Sequence, residues 1–406
     1  MLSLKDIKAA QKRLGDVICL TPCAKSDHYF KLAGVSALYF KLENLHRTGS
    51  FKERGALNKM LTLTEEERQK GVITASAGNH AQGVAYHAHR LGIDATIVMP
   101  ERTPLIKITS TLSYGAKVIQ SGSNFDEAFA TALGIQKEDQ RAFIHPFNDP
   151  LVMAGQGTIG LELLDQIPDV EMVICSVGGG GLISGVACAL KESNPRIQVV
   201  GVQASALAGM KASLDAGKLV EVESRNTIAD GIAVKRPGDN TFPVIQKYVD
   251  DMVTVDEEEI ANAILLLLER EKCVVEGAGA VTFAALINGK IPQAVGKKAA
   301  IVLSGGNIDV NLLSRIIERG LVKDGRLVRM MVNMPDRPGS LARFSAIVAE
   351  AGANVHEIYH NRAFSTGPLS ESQVEVTLET RGRHDAEELL KRLRQQGWDV
   401  REEEGH

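Results

Sequence analysis

Thr48-Gly49-Ser50-Phe51-Lys52-Glu53-Arg54-Gly55-Ala56 is the stretch on which the reading of this 406-residue chain turns. An alternating run precedes it, with Leu38, Phe40 and Leu42 against Tyr39, Lys41 and Glu43, and this predicts a strand with one polar side. A helix-forming run that includes Ala56, Leu57, Lys59 and Met60 follows. Lys52 is therefore expected where a strand hands over to a helix, with a glycine on each side. In an arbitrary chain a lysine at such a turn is a surface residue. Whether this one is more depends on what the remaining sequence places around it.

Beyond Lys52, strand and helix patterns alternate. Short apolar runs at 71–76, 95–100, 116–120 and 141–145 predict strands, separated by helical patterns, one with Ala81, Val84, Ala85, Ala88 and Leu91 on one face and others near 105–112 and 126–137. The alternation resumes with helices near 153–167 and 182–191 and strands at 172–177 and 197–203. Residues 204–250 are less regular. Helices at about 256–270, 278–288 and 310–319 and a strand at 299–304 complete this part. The order implies a parallel sheet covered by helices on both faces, divided into two α/β lobes with a cleft between them. Upstream, residues 4–14 read as an amphipathic helix, and Leu20-Thr21-Pro22 as an extended lead-in.

The pattern changes near Lys323-Asp324-Gly325. Strand 327–332, helix 341–351, strands 355–359 and 374–378, helix 385–395 and strand 398–401 follow, a ferredoxin-like βαββαβ order. Val374, Val376 and Leu378 alternate with Glu375, Thr377 and Glu379, so this sheet is expected to have one wet face.

Composition narrows the function classes. With 44% hydrophobic and 24% charged residues the chain is ordinary for a soluble globular protein, and a net charge of -4 gives no reason to expect nucleic acid or an anionic membrane as partner. Charge arrives too early at the N-terminus for a signal peptide, and the apolar run Ala263 to Leu268 is too short to span a bilayer. Cys19, Cys23, Cys175, Cys188 and Cys273 form no paired metal-ligand spacing, and the odd count fits a reducing compartment. The cytoplasm is the expected location.

Three further stretches sit at predicted strand ends. Ser176-Val177-Gly178-Gly179-Gly180-Gly181-Leu182 leads from a buried strand into a helix, where glycines and free amides suit a phosphate. Its spacing fits a dinucleotide fingerprint poorly. Ser76-Ala77-Gly78-Asn79-His80-Ala81-Gln82-Gly83 is another strand-to-helix junction; taken alone it reads as helix capping by Ser76 or Asn79. His80 makes no convincing metal cluster with His87 and His89, so no metal is expected there. Ser304-Gly305-Gly306-Asn307 follows a third buried strand, and alone is an ordinary turn.

Together, in one order, these motifs resemble the signatures of fold-type II pyridoxal-phosphate (PLP) enzymes, a two-lobed, tryptophan synthase β-like fold. The likeness spans nearly all of residues 1–320. It implies a catalytic core over 1–322 with a smaller lobe at about 54–150 inserted in the larger. It assigns Lys52 to covalent attachment of PLP and to proton transfer, and Phe51, Asn79, Gly178, Gly179, Gly180, Gly181, Leu182 and Ser304 to cofactor binding. Asn79 would meet the phenolic oxygen, the glycines the phosphate and Ser304 the pyridine nitrogen. Ser76, Ala77, Gly78, Asn79 and His80 would hold the substrate. A hydroxyl opposite the ring nitrogen leaves it largely unprotonated, so that β-elimination competes well with transamination. Thr227 to Ala233 and Glu276 to Ala280 match pocket-lining segments of the family.

Residues 326–406 resemble an ACT domain, a small-molecule regulatory module. The likeness places an amino-acid effector, isoleucine or valine, at Asp336, Pro338, Gly339, Ser340 and Leu341, with a pure dimerisation role as the alternative. The whole combination most resembles the threonine ammonia-lyase group. That implies deamination of L-threonine to 2-oxobutanoate and ammonia, activity on L-serine, and a homodimer or homotetramer. A serine racemase is the first rival, but such relatives carry a serine where this chain has Ala77. A β-replacement synthase is the second, and a non-catalytic amino-acid sensor the third. Gln203 to Ala208 lack the carboxylates that a divalent cation would want; a monovalent cation is left open.

Overall fold

The computed structural model describes residues 1–361 and 370–403 and divides into two compact units, Met1–Ile308 and Asp309–His406. The expected boundary lay further on, at 322–326. The helix Val310–Lys323 instead falls in the second unit, where it packs on the first strand. Residues 362–369 and 404–406 of the expected regulatory segment lie outside the described residues.

The first unit holds ten strands: β1 Cys23–Ser26, β2 Ala37–Lys41, β3 Val72–Ala75, β4 Ala95–Met99, β5 Lys117–Gln120, β6 Ala142–Phe143, β7 Met172–Ser176, β8 Gln198–Ala204, β9 Asp251–Val255 and β10 Lys298–Val302. Six form the larger sheet, in the order β1-β2-β10-β7-β8-β9, and four the smaller, β5-β4-β3-β6. All neighbours run parallel except β1, which pairs antiparallel with β2. The short link from β1 to β2 explains the exception, because a parallel pair needs a long crossover. The strands β3, β4, β7 and β8 are almost wholly buried, as a sheet covered on both faces requires.

The polar side of the alternating run at 38–43 is turned inward. Lys41, Glu43 and Arg54 are all 0% exposed. Lys41 Nζ donates to the Thr21 carbonyl at 2.7 Å, to Glu162 at 2.5 Å and to Gln166 at 2.9 Å. The Arg54 guanidinium bridges Glu43 (2.8 Å to each oxygen) and Glu162 (2.5 and 2.9 Å). Burial alone would raise the Glu43 carboxyl, but Arg54 and His46 hold it well below the ordinary range. Every charge in this knot has an opposite partner and hydrogen bonds, the condition for burying it at all. The knot ties the first turn of the helix Lys52–Met60 to the helix Pro150–Gln166.

In the second unit, β11 Leu327–Pro335, β12 Asn354–Asn361, β13 Glu371–Glu379 and β14 Asp399–Glu403 form an antiparallel sheet in the order β12-β13-β11-β14. Val328, Met330, Val332, Val374, Val376 and Leu378 line its buried face against Phe344, Ile347, Leu389 and Leu393 of the two helices Ser340–Glu350 and Arg383–Gln395. Thr377, on the face expected to be wet, is also buried. The helix Ser340–Glu350 starts at Gly339, whose φ of 90° suits glycine. Asp336, Pro338 and Leu341 flank that turn, and Leu341 is exposed.

Candidate active site

The loop before Lys52 is stitched to the loop after β10. Ser50 bridges Gly305, the Phe51 N–H donates to the Ser304 carbonyl at 3.1 Å, and the Gly306 N–H donates to the Gly49 carbonyl at 2.9 Å. Lys52 then opens the helix Lys52–Met60, and its side chain enters a cavity of about 790 Å³ between the two sheets. That size is ordinary for a small-molecule site. The Lys52 amine donates to the Pro146 carbonyl at 2.8 Å. This acceptor is itself held in place, because His145 Nδ1 accepts from the Phe147 and Asn148 N–H groups at 3.1 and 2.8 Å. Burial pushes the Lys52 amine down to about 8, and Glu276 opposes the fall.

Three strand ends face this amine. After β3, Ser76 Oγ accepts from the Gly78 N–H at 3.3 Å, and Asn79 begins the helix Asn79–Leu91 with no side-chain cap on its amides. The Asn79 side chain is engaged elsewhere: its nitrogen donates to Glu276 at 2.7 Å, and its oxygen accepts from Asn307 at 2.8 Å. The His80 ring binds the Ile144 carbonyl at 2.8 Å, and burial with the nearby Lys52 charge lowers it to about 3, so it is neutral. After β7, the glycine loop starts the helix Gly181–Ser193, again without a side-chain cap. Gly180 there has φ 97°, a conformation that favours glycine. After β10, the Ser304 hydroxyl is buried and accepts from Ser176 Oγ at 3.2 Å.

The cavity thus brings together Phe51, Lys52, Ser76, Ala77, Gly78, Asn79, His80, the four glycines, Leu182 and Ser304. Asp336, Pro338, Gly339, Ser340 and Leu341, where an effector is expected, lie in the second unit. A shallower groove beside Lys59 and Arg141, of about 510 Å³, contains none of these residues. The structure adds lining residues that sequence reasoning did not single out by side chain. Burial pushes the Glu276 carboxyl up to about 7, with Asp230 adding to the rise and Asn79 opposing it. Asn307 and Phe147 line the wall. At the rim, Lys107 pairs with Asp230 at 2.5 Å and Lys235 with Asp126 at 2.7 Å, each joining the lobe around the small sheet to the loop at 230–236. Glu276 lay in a quoted pocket segment, but nothing in its spacing marked the side chain. Asn307 closed a quoted turn with no further signal.

These residues fit PLP on chemistry alone. A partly desolvated amine with one acceptor for its hydrogens can take an aldehyde carbon. An uncapped helix start preceded by glycines offers amides to a phosphate. A buried hydroxyl suits a pyridine nitrogen.

A mixed two-lobed α/β unit with this ring of amine, amide cradle and hydroxyl defines a PLP enzyme, and the pyridoxal-phosphate dependent enzyme family matches residues 15–305 while the ACT domain family matches residues 328–397. The chain belongs to the pyridoxal-phosphate dependent enzymes, with a C-terminal ACT domain, and PLP is its cofactor. Among its relatives, an L-threonine ammonia-lyase of Thermotoga maritima is 54% identical over 99% of both chains. A threonine deaminase isoform of Solanum lycopersicum superposes with a TM-score of 0.74 at 40% identity, covering 78% of this chain and 91% of that one. Maize serine racemase superposes with a TM-score of 0.75 at 36% identity, covering 79% and 98%.

Proposed function

We propose that this enzyme deaminates L-threonine, eliminating water across Cα–Cβ and releasing 2-oxobutanoate and ammonia. The observation that carries the reading is the Lys52 amine, depressed to about 8 inside the same cavity as the Ser76–His80 helix start. When bound, PLP supplies the electron sink that makes the α C–H acidic. The chain's own residues do the rest. The amides and helix dipole at Ser76 to Asn79 take the substrate carboxylate. Neutral Lys52 accepts the α-proton as general base, the electron pair so freed forms the Cα=Cβ bond, and the β-hydroxyl takes a proton, which the bound phosphate would supply, and leaves as water. The enamine so released tautomerises and hydrolyses, giving the keto acid and ammonia. Gly178 to Gly181 would hold the phosphate, and Ser304 would meet the ring nitrogen.

L-Serine is a second substrate on this reading, since one missing methyl changes discrimination by only about 1–3 kcal/mol. Racemisation is disfavoured because Ala77 offers no acid or base on the face opposite Lys52. The 326–406 segment would take isoleucine or valine at Asp336 to Leu341 across paired copies, in a homodimer or homotetramer. Five free cysteines support a cytoplasmic site of action; among the described residues no helix is long and apolar enough to cross a membrane. The test is direct. Purified protein mixed with L-threonine should yield 2-oxobutanoate at a rate far above that of Lys52→Ala, with isoleucine altering the rate. No keto acid from either threonine or serine would sink the reading and turn attention to β-replacement with a thiol.

A further inference from the structure

Asn79 is held by a chain of side chains whose polarity can be worked out from one fixed end. The Thr48 carbonyl can only accept, so the atom of Asn307 that meets it at 2.7 Å must be Nδ2. The same nitrogen lies 2.8 Å from Asn79 and has one hydrogen left, so the Asn79 atom there must be the oxygen. The Asn79 nitrogen is thereby turned the other way, onto Glu276 Oε1 at 2.7 Å. An asparagine's orientation is a matter of which atom each neighbour tolerates, and here both neighbours agree. Glu276 accepts one of the two amide hydrogens; the second is left over for whatever occupies the cavity.

The fixed end is rigid. Thr48 is buried, and its own N–H donates to the buried Glu53 carboxylate at 2.5 Å. Two glycines leave room for the chain on either side. A Cβ at Gly49 would overlap the Asn307 amide, with Cγ and Nδ2 both at 2.9 Å. A Cβ at Gly305 would strike the Glu276 carboxylate, with Cδ at 2.9 Å, and crowd Asn79 Nδ2 at 3.0 Å. These backbones are the same two that are stitched together beside Lys52.

We propose that Asn307 and Glu276 are positioning residues that lock the Asn79 amide with its nitrogen available to the phenolic oxygen of PLP. The inference rests on the reading of Asn79 as that oxygen's partner. A free amide would populate both orientations and offer an oxygen to an oxygen about as often as a donor. Locking removes the wrong half before the cofactor arrives.

The test uses the full-length holoenzyme without substrate and reads two quantities: the dissociation constant for PLP and the absorption maximum of the lysine-bound cofactor. Asn79→Ala should weaken binding on the order of tenfold and move the band. Asn307→Asp keeps the shape but places an acceptor against both Thr48 O and Asn79 Oδ1, so it should match Asn79→Ala in both readouts. Glu276→Ala should do likewise, whereas Glu276→Gln, which still presents an oxygen, should keep the wild-type band. If Asn307→Asp does not fold by circular dichroism, the contrast between Glu276→Ala and Glu276→Gln decides. Wild-type binding and band in Asn307→Asp and Glu276→Ala, with Asn79→Ala altered, would overturn the proposal alone. An unaltered Asn79→Ala would overturn the reading of Asn79 beneath it.

Discussion

A lysine amine in water is protonated at neutral pH and has no lone pair to attack an aldehyde or take a proton. At about 8, roughly a tenth of the Lys52 amines are neutral at pH 7, against fewer than one in a thousand for an ordinary lysine. Burial supplies this shift, and the sign follows: the reactive form is lost as pH falls through about 8. Cofactor-free protein should therefore acquire lysine-bound PLP, seen as a band near ~410 nm, at a rate that climbs with pH and levels off above about 8. A rate still climbing at pH 10 would contradict the desolvation of Lys52. Lys52→Ala should lower kcat for threonine by about 10²–10⁴-fold from the lost general base alone, measured by 2-oxobutanoate formation. A smaller loss would move the proton transfer to another group.

The knot of Lys41, Glu43, Arg54 and Glu162 holds the first turn of the Lys52 helix in place. Removing the Glu43 charge leaves two buried cations, Lys41 and Arg54, on the single carboxylate of Glu162, so Glu43→Gln should destabilise the first unit by about 3–5 kcal/mol in urea unfolding. The pH dependence has a definite direction. A carboxyl held below its ordinary value stabilises the fold above the unfolded value of about 4.3, and that stability is lost as pH falls through the lower folded value. Wild type should therefore lose stability on acidification more steeply than Glu43→Gln; parallel acid curves would rule the ion pair out as the cause. This knot was not legible beforehand. Leu38 to Glu43 alternate as a half-exposed strand does, and the decisive partner, Glu162, is 121 residues from Lys41. The glycine loop, the Asn79 junction and the Ser304 turn could be read, because strand ends, glycines and hydroxyls each carry a local signature. The side chains that orient them, Glu276 and Asn307, could not, since a buried hydrogen bond over some hundreds of residues leaves no periodicity. The antiparallel β1 was missed because its four residues, Cys23–Ser26, form too short a run to show a direction.

The described lining of the cavity lies wholly within Met1–Ile308, and the ACT unit has a hydrophobic core of its own. A chain ending at Ile308 should keep threonine deamination and lose any response to isoleucine or valine. Steady-state rates with and without those amino acids check this; a response that survives truncation would place the effector site in the catalytic unit. Independent cores also predict two unfolding transitions in calorimetry of the full chain, one of them absent after truncation.

The stitching of the Lys52 loop to the loop after β10 has a bearing on how the protein is made. Thr48 and Asn307 are 259 residues apart, and β10 slots into the sheet between β2 and β7. A growing chain on the ribosome therefore carries its lysine through most of synthesis with β2 lacking one neighbour and the Asn79 amide lacking both of its partners. Only when residues 298–307 emerge can the sheet close around them. Completion of the cofactor site belongs to the last stage of building this enzyme, after nearly all of the catalytic unit has been translated. A chain stalled before β10 would have the lysine and the glycine loop, but neither Ser304 nor the Asn307 that holds the Asn79 amide.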